Sequence, residues 1–167
     1  MKYKFKKGIT GPQINQLLDF TKSDPEVAKF TADLTRFKDK VSAKKFLTEC
    51  PKVITLIGPN GNLFGIFWFD KKPLPEVEPR STIKVNYFYD IDPKKYQLTF
   101  GIRIYGQARG QGLSQHFLTE SFKGINEGVW LSTSFDNAPA VKSYIKFGFK
   151  QVSDTGTTGK IIMVRSH

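Results

Sequence analysis

A strand, a glycine-rich turn and a helix follow one another in the stretch that decides the fold of this chain. It reads Ile104-Tyr105-Gly106-Gln107-Ala108-Arg109-Gly110-Gln111-Gly112-Leu113. The apolar residues before the turn predict a strand, and Leu113, Phe117 and Leu118 recur with the period of a helix face. Unpaired N–H groups in the first turn of a helix, together with the positive end of its dipole, bind phosphate groups. The stretch therefore predicts a phosphate-binding turn.

The residues of the turn narrow the kind of phosphate site. Gly110 and Gly112 carry no Cβ, so a ligand can approach their backbone closely, and Arg109 adds a permanent cation. A P-loop would need Lys after Gly112, where Leu113 stands, and a dinucleotide-binding fingerprint would need Gly or Ala in place of Gln115. Taken alone, these residues also fit a helix start that uses glycine only for tight packing.

A second motif begins 25 residues after Gly112 and reads Asn137-x-x-Ala140-x-x-x-Tyr144-x-x-x-Gly148-Phe149. The spacing Gln107-x-x-Gly110-x-Gly112 between a strand and a helix resembles the first signature of the GNAT N-acetyltransferase superfamily. The second motif resembles the other recurrent motif of that superfamily. The predicted order upstream, a strand, short helices and a hairpin, is similar to the same plan, so the resemblance covers essentially the whole chain.

The resemblance implies an α/β (α+β) fold with a mixed, mostly antiparallel sheet of about six or seven strands flanked by about four helices. We expect a single domain over residues 1–167, as the length also suggests. Around the two motifs, residue periodicity and turn chemistry predict strands at 2–7, 53–57, 63–69, 83–89, 96–105 and 129–133, a closing hairpin over 150–165, and helices beginning near Pro12, Pro25, Ser42, Leu113 and Asn137. The helix that begins at Pro25 is expected to continue to Leu34.

The resemblance also implies a cosubstrate, acetyl-CoA, and a reaction. The turn would wrap its pyrophosphate with backbone N–H groups, and the strand backbone before the turn would bind the pantetheine arm. Tyr144 would act as general acid toward the leaving thiolate, although helix geometry alone predicts a core aromatic beside Phe147. The expected cofactor-binding residues are Ile102, Arg103, Ile104, Gln107, Ala108, Arg109, Gly110, Gln111, Gly112, Asn137 and Tyr144, and the expected catalytic residue is Tyr144.

A general base is harder to identify. The strand that leads to the first motif carries no Asp or Glu between Tyr96 and Gly101. Asp90 and Asp92 fit turn carboxylates better than catalytic groups, and His116 fits a surface residue. Cys50, the single cysteine, is expected at a buried helix end rather than as a nucleophile. Since no His, Cys or Asp spacing indicates a metal site, we expect no metal.

The chain is strongly basic. It carries 26 Lys and Arg against 15 Asp and Glu, a formal net charge of +11, and more than half of the surplus lies in residues 1–52. The alternation Lys2-Tyr3-Lys4-Phe5-Lys6 predicts an amphipathic strand with a solvated lysine face. The surplus exceeds what a phosphate turn needs, which makes an acidic acceptor a candidate partner.

These observations exclude some protein classes and leave three functions open. One cysteine excludes a disulfide-stapled scaffold, and the longest apolar run, Leu63 to Phe69, is too short to cross a membrane. We expect a cytoplasmic N-acetyltransferase, a monomer or homodimer, that transfers acetyl from acetyl-CoA to a primary amine of a small molecule or peptide in a ternary complex. The alternatives are a non-catalytic acyl-CoA-binding module and, less favoured, an RNA- or ribosome-associated protein that uses the basic N-terminal third.

Overall fold

A computed structural model describes residues 3–166, with all side chains among them except that of Gln107. These residues form seven strands and six α-helices in the order β1 (Lys4–Lys7), α1 (Gly11–Ser23), α2 (Pro25–Phe30), α3 (Asp33–Arg36), α4 (Lys40–Glu49), β2 (Lys52–Ile57), β3 (Leu63–Lys71), β4 (Tyr96–Ile104), α5 (Leu113–Phe122), β5 (Gly128–Ser134), α6 (Ala138–Lys146), β6 (Lys150–Gln151) and β7 (Lys160–Arg165). Single 3-10 turns cover Pro59–Gly61, Pro93–Lys95 and Gly106–Ala108.

The strands form a mixed sheet in the order β1-β2-β3-β4-β5-β7-β6. The pairs β1–β2, β2–β3, β5–β7 and β6–β7 are antiparallel, and β4 pairs with β5 in parallel from Tyr96 to Thr99. This confirms the expected mixed, mostly antiparallel α/β fold. Five of the six described α-helices begin near a predicted start, and α3 is the additional one.

Local sequence signals explain how several elements begin and end. Asp24 is the N-cap of α2, and its side chain accepts hydrogen bonds from the N–H groups of Glu26 and Val27, with Pro25 in the first helical position. The hairpin β2–β3 closes through a hydrogen bond from Gly58 N to Asn62 O of 2.9 Å. These elements lie where turn and cap chemistry predicted them.

Two predicted elements differ in the structure. The helix expected from Pro25 to Leu34 ends at Phe30 and gives way to α3. The N–H of Thr31 still donates to Val27 O (3.1 Å), as in a helix. The N–H of Asp33 donates to the Thr31 hydroxyl (3.1 Å), so a side chain replaces the backbone carbonyl that a continuing helix would offer it. The strand expected at 83–89 is also wrong.

Residues 83–89 instead form two isolated bridges, Val77↔Lys84 and Tyr87↔Ser153. The segment makes backbone hydrogen bonds to two different parts of the chain. Ile83 O accepts from Glu78 N (2.8 Å), and Phe88 N donates to Val152 O (2.9 Å). Ile83 and Phe88 are 47% and 58% exposed, and only Val85 and Tyr87 of this segment pack, partly buried, against the core of the second unit.

The chain packs as two compact units. The first comprises Met1–Asp70 and Gly101–Lys123, and its buried cluster includes Ile14, Leu17, Val27, Phe37, Ala43, Leu47, Ile57, Leu63, Ile66, Trp68 and Tyr105. The second comprises Lys71–Phe100 and Gly124–His167, with a core of Leu74, Tyr96, Trp130, Val152, Ile162 and Val164. The expectation of one domain over residues 1–167 stays a prediction. Within residues 3–166, no helix is both long enough and apolar enough to cross a membrane.

Candidate active site

The glycine-rich turn lies in the first unit, between β4 and α5. Tyr105, just after β4, donates its N–H to Phe64 O of the neighbouring strand at 2.8 Å. A 3-10 turn follows, with hydrogen bonds from Ala108 N to Tyr105 O (2.9 Å) and from Arg109 N to Gly106 O (3.1 Å). The N-cap of α5 is Gly112. The predicted strand–turn–helix order is therefore confirmed.

Three glycines of this turn have left-handed backbone conformations. The φ angles of Gly106, Gly110 and Gly112 are +37°, +72° and +69°. A Cβ at any of them would meet no described atom within 4 Å outside its chain neighbours. Glycine is therefore required here by backbone conformation and not by close packing, and the space beside these residues is open. The interpretation that the glycines serve only tight packing is wrong.

The N-terminus of α5 has the features of an anion-binding helix end. The helix is ten residues long, and the N–H groups of its first turn have no carbonyl partner within the helix. The N-cap, Gly112, has no side chain that could accept from them. The positive end of the α5 dipole therefore lies next to the glycine-rich turn.

The side chain of Arg109 is engaged by carboxylates. Its Nη2 donates to Asp24 Oδ2 at 2.6 Å, and its Nε donates to Ile104 O at 2.9 Å and lies 3.3 Å from Glu26 Oε2. The structure places this cation in an ion pair at the N-terminus of α2, a contact that the sequence did not predict. The role of Arg109 toward phosphates stays a prediction.

A second ion-pair network holds Arg103. Its Nε and Nη2 donate to the two carboxylate oxygens of Asp33, at 2.6 and 2.9 Å, and Arg36 Nη1 donates to Asp33 Oδ1 at 2.6 Å. Asp33 is fully buried, and the Arg103 guanidinium lies 5.0 Å from the centre of the Trp68 ring. Burial lowers the pKa of Arg36, with the nearby carboxylate of Asp33 opposing that effect.

The arginines also touch the strand that was expected to bind the pantetheine. Arg103 Nη1 donates to Ile102 O at 2.8 Å, and Arg109 Nε donates to Ile104 O. Two carbonyl groups of the strand end are thus already hydrogen-bonded within the chain. The role of Ile102, Arg103 and Ile104 toward a cosubstrate stays a prediction.

Tyr105 lies beside both networks. Its side chain is 1% exposed and stacks on Phe20 with ring centres 4.5 Å apart, and its hydroxyl has no hydrogen-bond partner among the described residues. Burial raises the pKa of Tyr105, and the positive charge of Arg103 opposes that shift. Sequence reasoning missed this residue because an apolar strand end does not reveal whether its tyrosine hydroxyl finds a partner.

Tyr144 and Asn137 lie in the second unit, on and before α6. Tyr144 is half-buried, and its ring contacts those of Phe100 (5.8 Å) and Phe149 (6.1 Å) edge to face. The helix ends with hydrogen bonds from Phe149 N to Tyr144 O and from Gly148 N to Ile145 O, both 3.0 Å, with Gly148 left-handed. This helix end fixes the position of Tyr144.

Asn137 holds the N-cap position of α6, but its side chain makes no capping hydrogen bond to a described N–H group. The prediction of a helix that begins near Asn137 is therefore confirmed, with Ala138 as its first residue. Ala108 is buried in the turn, whereas Gly110 and Gln111 are exposed. The side chain of Gln107 lies outside the described part of the chain.

The weaker candidates have ordinary surroundings. Asp92 Oδ1 accepts from Lys94 N at 3.0 Å and caps a 3-10 turn, and exposed His116 shares a hydrogen bond of 2.9 Å with the Tyr3 hydroxyl. Burial raises the pKa of Cys50 to about 12, so the thiol stays protonated near neutral pH. Asp90 is exposed. Residues 3–166 contain no group of three or more His, Cys, Asp or Glu side chains placed to hold a metal ion.

Comparison with known proteins identifies the fold. No protein-family model and no curated protein sequence matches this chain. Solved structures do match it. One is a spermidine N-acetyltransferase from Vibrio cholerae in complex with CoA and spermine, with a TM-score of 0.64 and 14% identity over 98% of this chain and 94% of that one. Another is a GNAT-family acetyltransferase from Streptococcus agalactiae, with a TM-score of 0.64 and 16% identity over 99% of this chain and 95% of that one. The chain has the GNAT fold.

Proposed function

We propose that this protein is an N-acetyltransferase that transfers an acetyl group from acetyl-CoA to a primary amine by direct attack in a ternary complex. The observation that carries the proposal is the turn between β4 and α5. Its left-handed glycines leave open space beside a helix N-terminus, within a chain that has the GNAT fold. Backbone N–H groups beside open space suit a pyrophosphate, because they supply donors without side chains that would block its approach.

The binding roles follow the order of the chain. The backbone of Gln107, Ala108, Gly110, Gln111 and Gly112, with the first turn of α5, would hold the pyrophosphate. The backbone of Ile102–Ile104 would align the pantetheine arm, and the Asn137 amide, which caps no described N–H group, would bind its polar groups. Acetyl-CoA supplies the activated acyl group, and the protein supplies position.

Tyr144 is proposed as the general acid. When the amine nitrogen bonds to the acyl carbon and the carbon–sulfur bond breaks, the Tyr144 hydroxyl would give its proton to the leaving sulfur. The amine nitrogen would lose one proton to solvent, and a solvent proton would restore the Tyr144 hydroxyl. With ordinary pKa values near 10 for the phenol and near 8.5 for the thiol, that transfer costs about 2 kcal/mol. Charge that develops on sulfur in a dry site would offset this cost.

The charge of the chain bears on the acceptor. One structural relative is a spermidine N-acetyltransferase, which favours a small amine as the acceptor class. The net charge of +11 opposes the approach of a polycation, however. We therefore propose an acceptor that carries an acidic group besides its amine.

The proposed function is tested by thiol release from acetyl-CoA with a panel of amines: polyamines, amino acids, amino sugars and acidic peptides with a free N-terminus. We expect release with at least one acidic amine. Replacing Tyr144 by Phe should lower turnover at least tenfold, since general acid catalysis contributes about 10²–10⁴-fold, while the affinity for CoA stays unchanged. Tyr89→Phe, at a tyrosine that is 54% exposed, is the matched control and should retain the wild-type rate.

Each outcome decides between functions. A wild-type rate in Tyr144→Phe would remove the assignment of the general acid. CoA binding without thiol release from any amine would favour the non-catalytic acyl-CoA-binding module. A protein that neither binds CoA nor releases thiol would contradict the proposal altogether.

A further inference from the structure

We propose that Arg109 is a positioning residue, which acts through Asp24 to hold the glycine-rich turn in its binding conformation and does not itself bind phosphate. The inference rests on the proposed function, because it assigns a role at the same cosubstrate site. It differs from the sequence-based expectation, in which Arg109 is a cation aimed at the phosphates.

The contacts of Arg109 connect three elements of the first unit. Arg109 itself lies within the turn, its Nε bonds to Ile104 O at the end of β4, and its Nη2 bonds to Asp24 Oδ2 at the start of α2. The side chain is only 31% exposed. The two bonds hold the turn in place relative to β4 and α2. They cost little side-chain entropy, because the guanidinium is planar and its donors are already oriented.

Asp24 has two separate structural roles. One oxygen, Oδ1, accepts from Glu26 N (3.0 Å) and Val27 N (3.4 Å) and so caps α2, while the other, Oδ2, pairs with Arg109. The residue is 8% exposed. A carboxylate this buried depends on its partner, since loss of the cation would leave a poorly solvated charge.

The local charge argues against direct phosphate binding by Arg109. Two carboxylates, Asp24 and Glu26, lie within 4 Å of the one guanidinium, at 2.6 and 3.3 Å. The group of three side chains is therefore negative overall. A phosphate that approached the guanidinium would be repelled by these carboxylates.

A positioning role and a phosphate-binding role of Arg109 predict opposite effects of the substitution Asp24→Asn on CoA affinity. Asp24→Asn keeps the shape of the side chain and a good N-cap for α2, because Asn and Asp are similarly favoured there, but it removes the charge that holds Arg109. If Arg109 positions the turn, the affinity for CoA falls. If Arg109 is a phosphate ligand in competition with Asp24, the affinity for CoA rises.

The test is a double-mutant cycle on CoA binding, measured by titration calorimetry on the full chain. We expect Asp24→Asn and Arg109→Gln each to weaken CoA binding about tenfold, and the double variant to be no weaker than either alone, because contacting residues that act as one unit are not additive. Asp39→Asn is the matched control, since Asp39 is an exposed N-cap that accepts from Ser42 N at 2.8 Å and contacts no arginine through a described hydrogen bond. It should bind CoA like the wild type.

A second readout separates positioning from phosphate contact. The affinity for CoA is measured from low to high salt. Arg109→Gln should leave the salt dependence of CoA binding unchanged, since the side chain replaces no counterion of the phosphates. A reduced salt dependence in that variant, tighter CoA binding by Asp24→Asn, or additive losses in the double variant would each overturn the proposal.

The failure of the proposed function has a different signature. If the wild-type protein bound no CoA, the acetyltransferase proposal would fail, and thermal unfolding would decide the role of Arg109. The losses of Tm in Asp24→Asn and Arg109→Gln should then overlap in the double variant, and additive losses would contradict the ion pair. If Asp24→Asn or Arg109→Gln fails to fold, the CoA-binding cycle and the thermal-unfolding cycle are repeated with Asp24→Ser and Arg109→Lys.

Discussion

Asp33 is the residue on which the first unit concentrates its buried charge. It is fully buried and shares its two oxygens between Arg103 on β4 and Arg36 on α3. Both guanidinium groups also lie over the ring of Trp68, at 5.0 and 5.3 Å. One carboxylate therefore fixes β4 to the helices at the strand end that leads into the turn.

The neighbouring Tyr105 has no polar role that the structure reveals, since its hydroxyl has no partner among the described residues.

At this scale we predict that Asp33→Asn destabilises the protein strongly. Removing one partner of a buried ion pair costs about 3–5 kcal/mol, and we expect about 3 kcal/mol because Arg36 stays partly exposed to water. Urea unfolding measures the change. Asp19→Asn is the control, since Asp19 is exposed on α1, and it should change stability by less than about 0.5 kcal/mol. Equal losses in the two variants would show that burial of the Asp33 pair does not matter.

The turn between β4 and α5 has glycines in left-handed conformations and open space beside them. Its glycines have left-handed conformations that other residues adopt only with strain, and nothing fills the space beside them. Gly101 and Gly65 on the neighbouring strands differ, because a Cβ there would lie 2.1 Å from Trp68 and 2.5 Å from Arg103 O. The same residue type thus meets a packing requirement in the strands and a backbone requirement in the turn.

We predict that Gly112→Ala lowers both stability and affinity for CoA. Alanine at a φ of +69° costs about 1–2 kcal/mol, and strain at the N-cap of α5 would shift the N–H groups of the binding turn. Gly11→Ala is the matched control, because Gly11 lies at the start of α1 without a left-handed φ and with open space around it. That change should be neutral or stabilising by up to about 1 kcal/mol. Unfolding and CoA titration measure both, and a Gly112→Ala protein that matches Gly11→Ala would refute the backbone argument.

Over the whole molecule, arginines and lysines have different surroundings. In the first unit Arg36, Arg103 and Arg109 all pair with carboxylates. The lysines of β1 and α4 are exposed instead, so they carry much of the surplus charge at the surface. β1 lies at one edge of the sheet, and lysines on an edge strand prevent pairing with the edge of another molecule. Protection of this edge explains part of the surplus without any acidic partner.

We predict that Lys4→Thr with Lys6→Thr makes the protein self-associate as its concentration rises. Threonine favours strands, so the edge would gain strand propensity while losing its charge. Lys44→Gln with Lys45→Gln on α4 removes the same charge from a helix and is the control. Light scattering over a concentration series measures association. Equal behaviour of the two double variants would mean that net charge alone, and not the edge, keeps the molecules apart.

The sequence predicted most of the fold and, at the candidate site, the strand–turn–helix order, but not the ion pairs of Arg103 and Arg109. The glycine-rich turn and the helix starts near Pro25 and Asn137 could be predicted, because each depends on residues within a few positions of one another. The segment 83–89 was misread since its exposed apolar residues imitate a buried strand. The catalytic role of Tyr144 still rests on the motif that suggested it.

By itself the sequence determined the local structural features of this protein. These are the glycines that permit the turn, the residues that begin and end its helices, and the charge of its edge strand. Only the tertiary structure decided which carboxylate each arginine binds. Asp33 and Arg103 are 70 residues apart in the chain, and Asp24 and Arg109 are 85 apart. No local pattern specifies such pairs, because their partners are chosen by how the helices pack on the sheet. For that reason the sequence alone did not reveal the ion pair between Asp24 and Arg109.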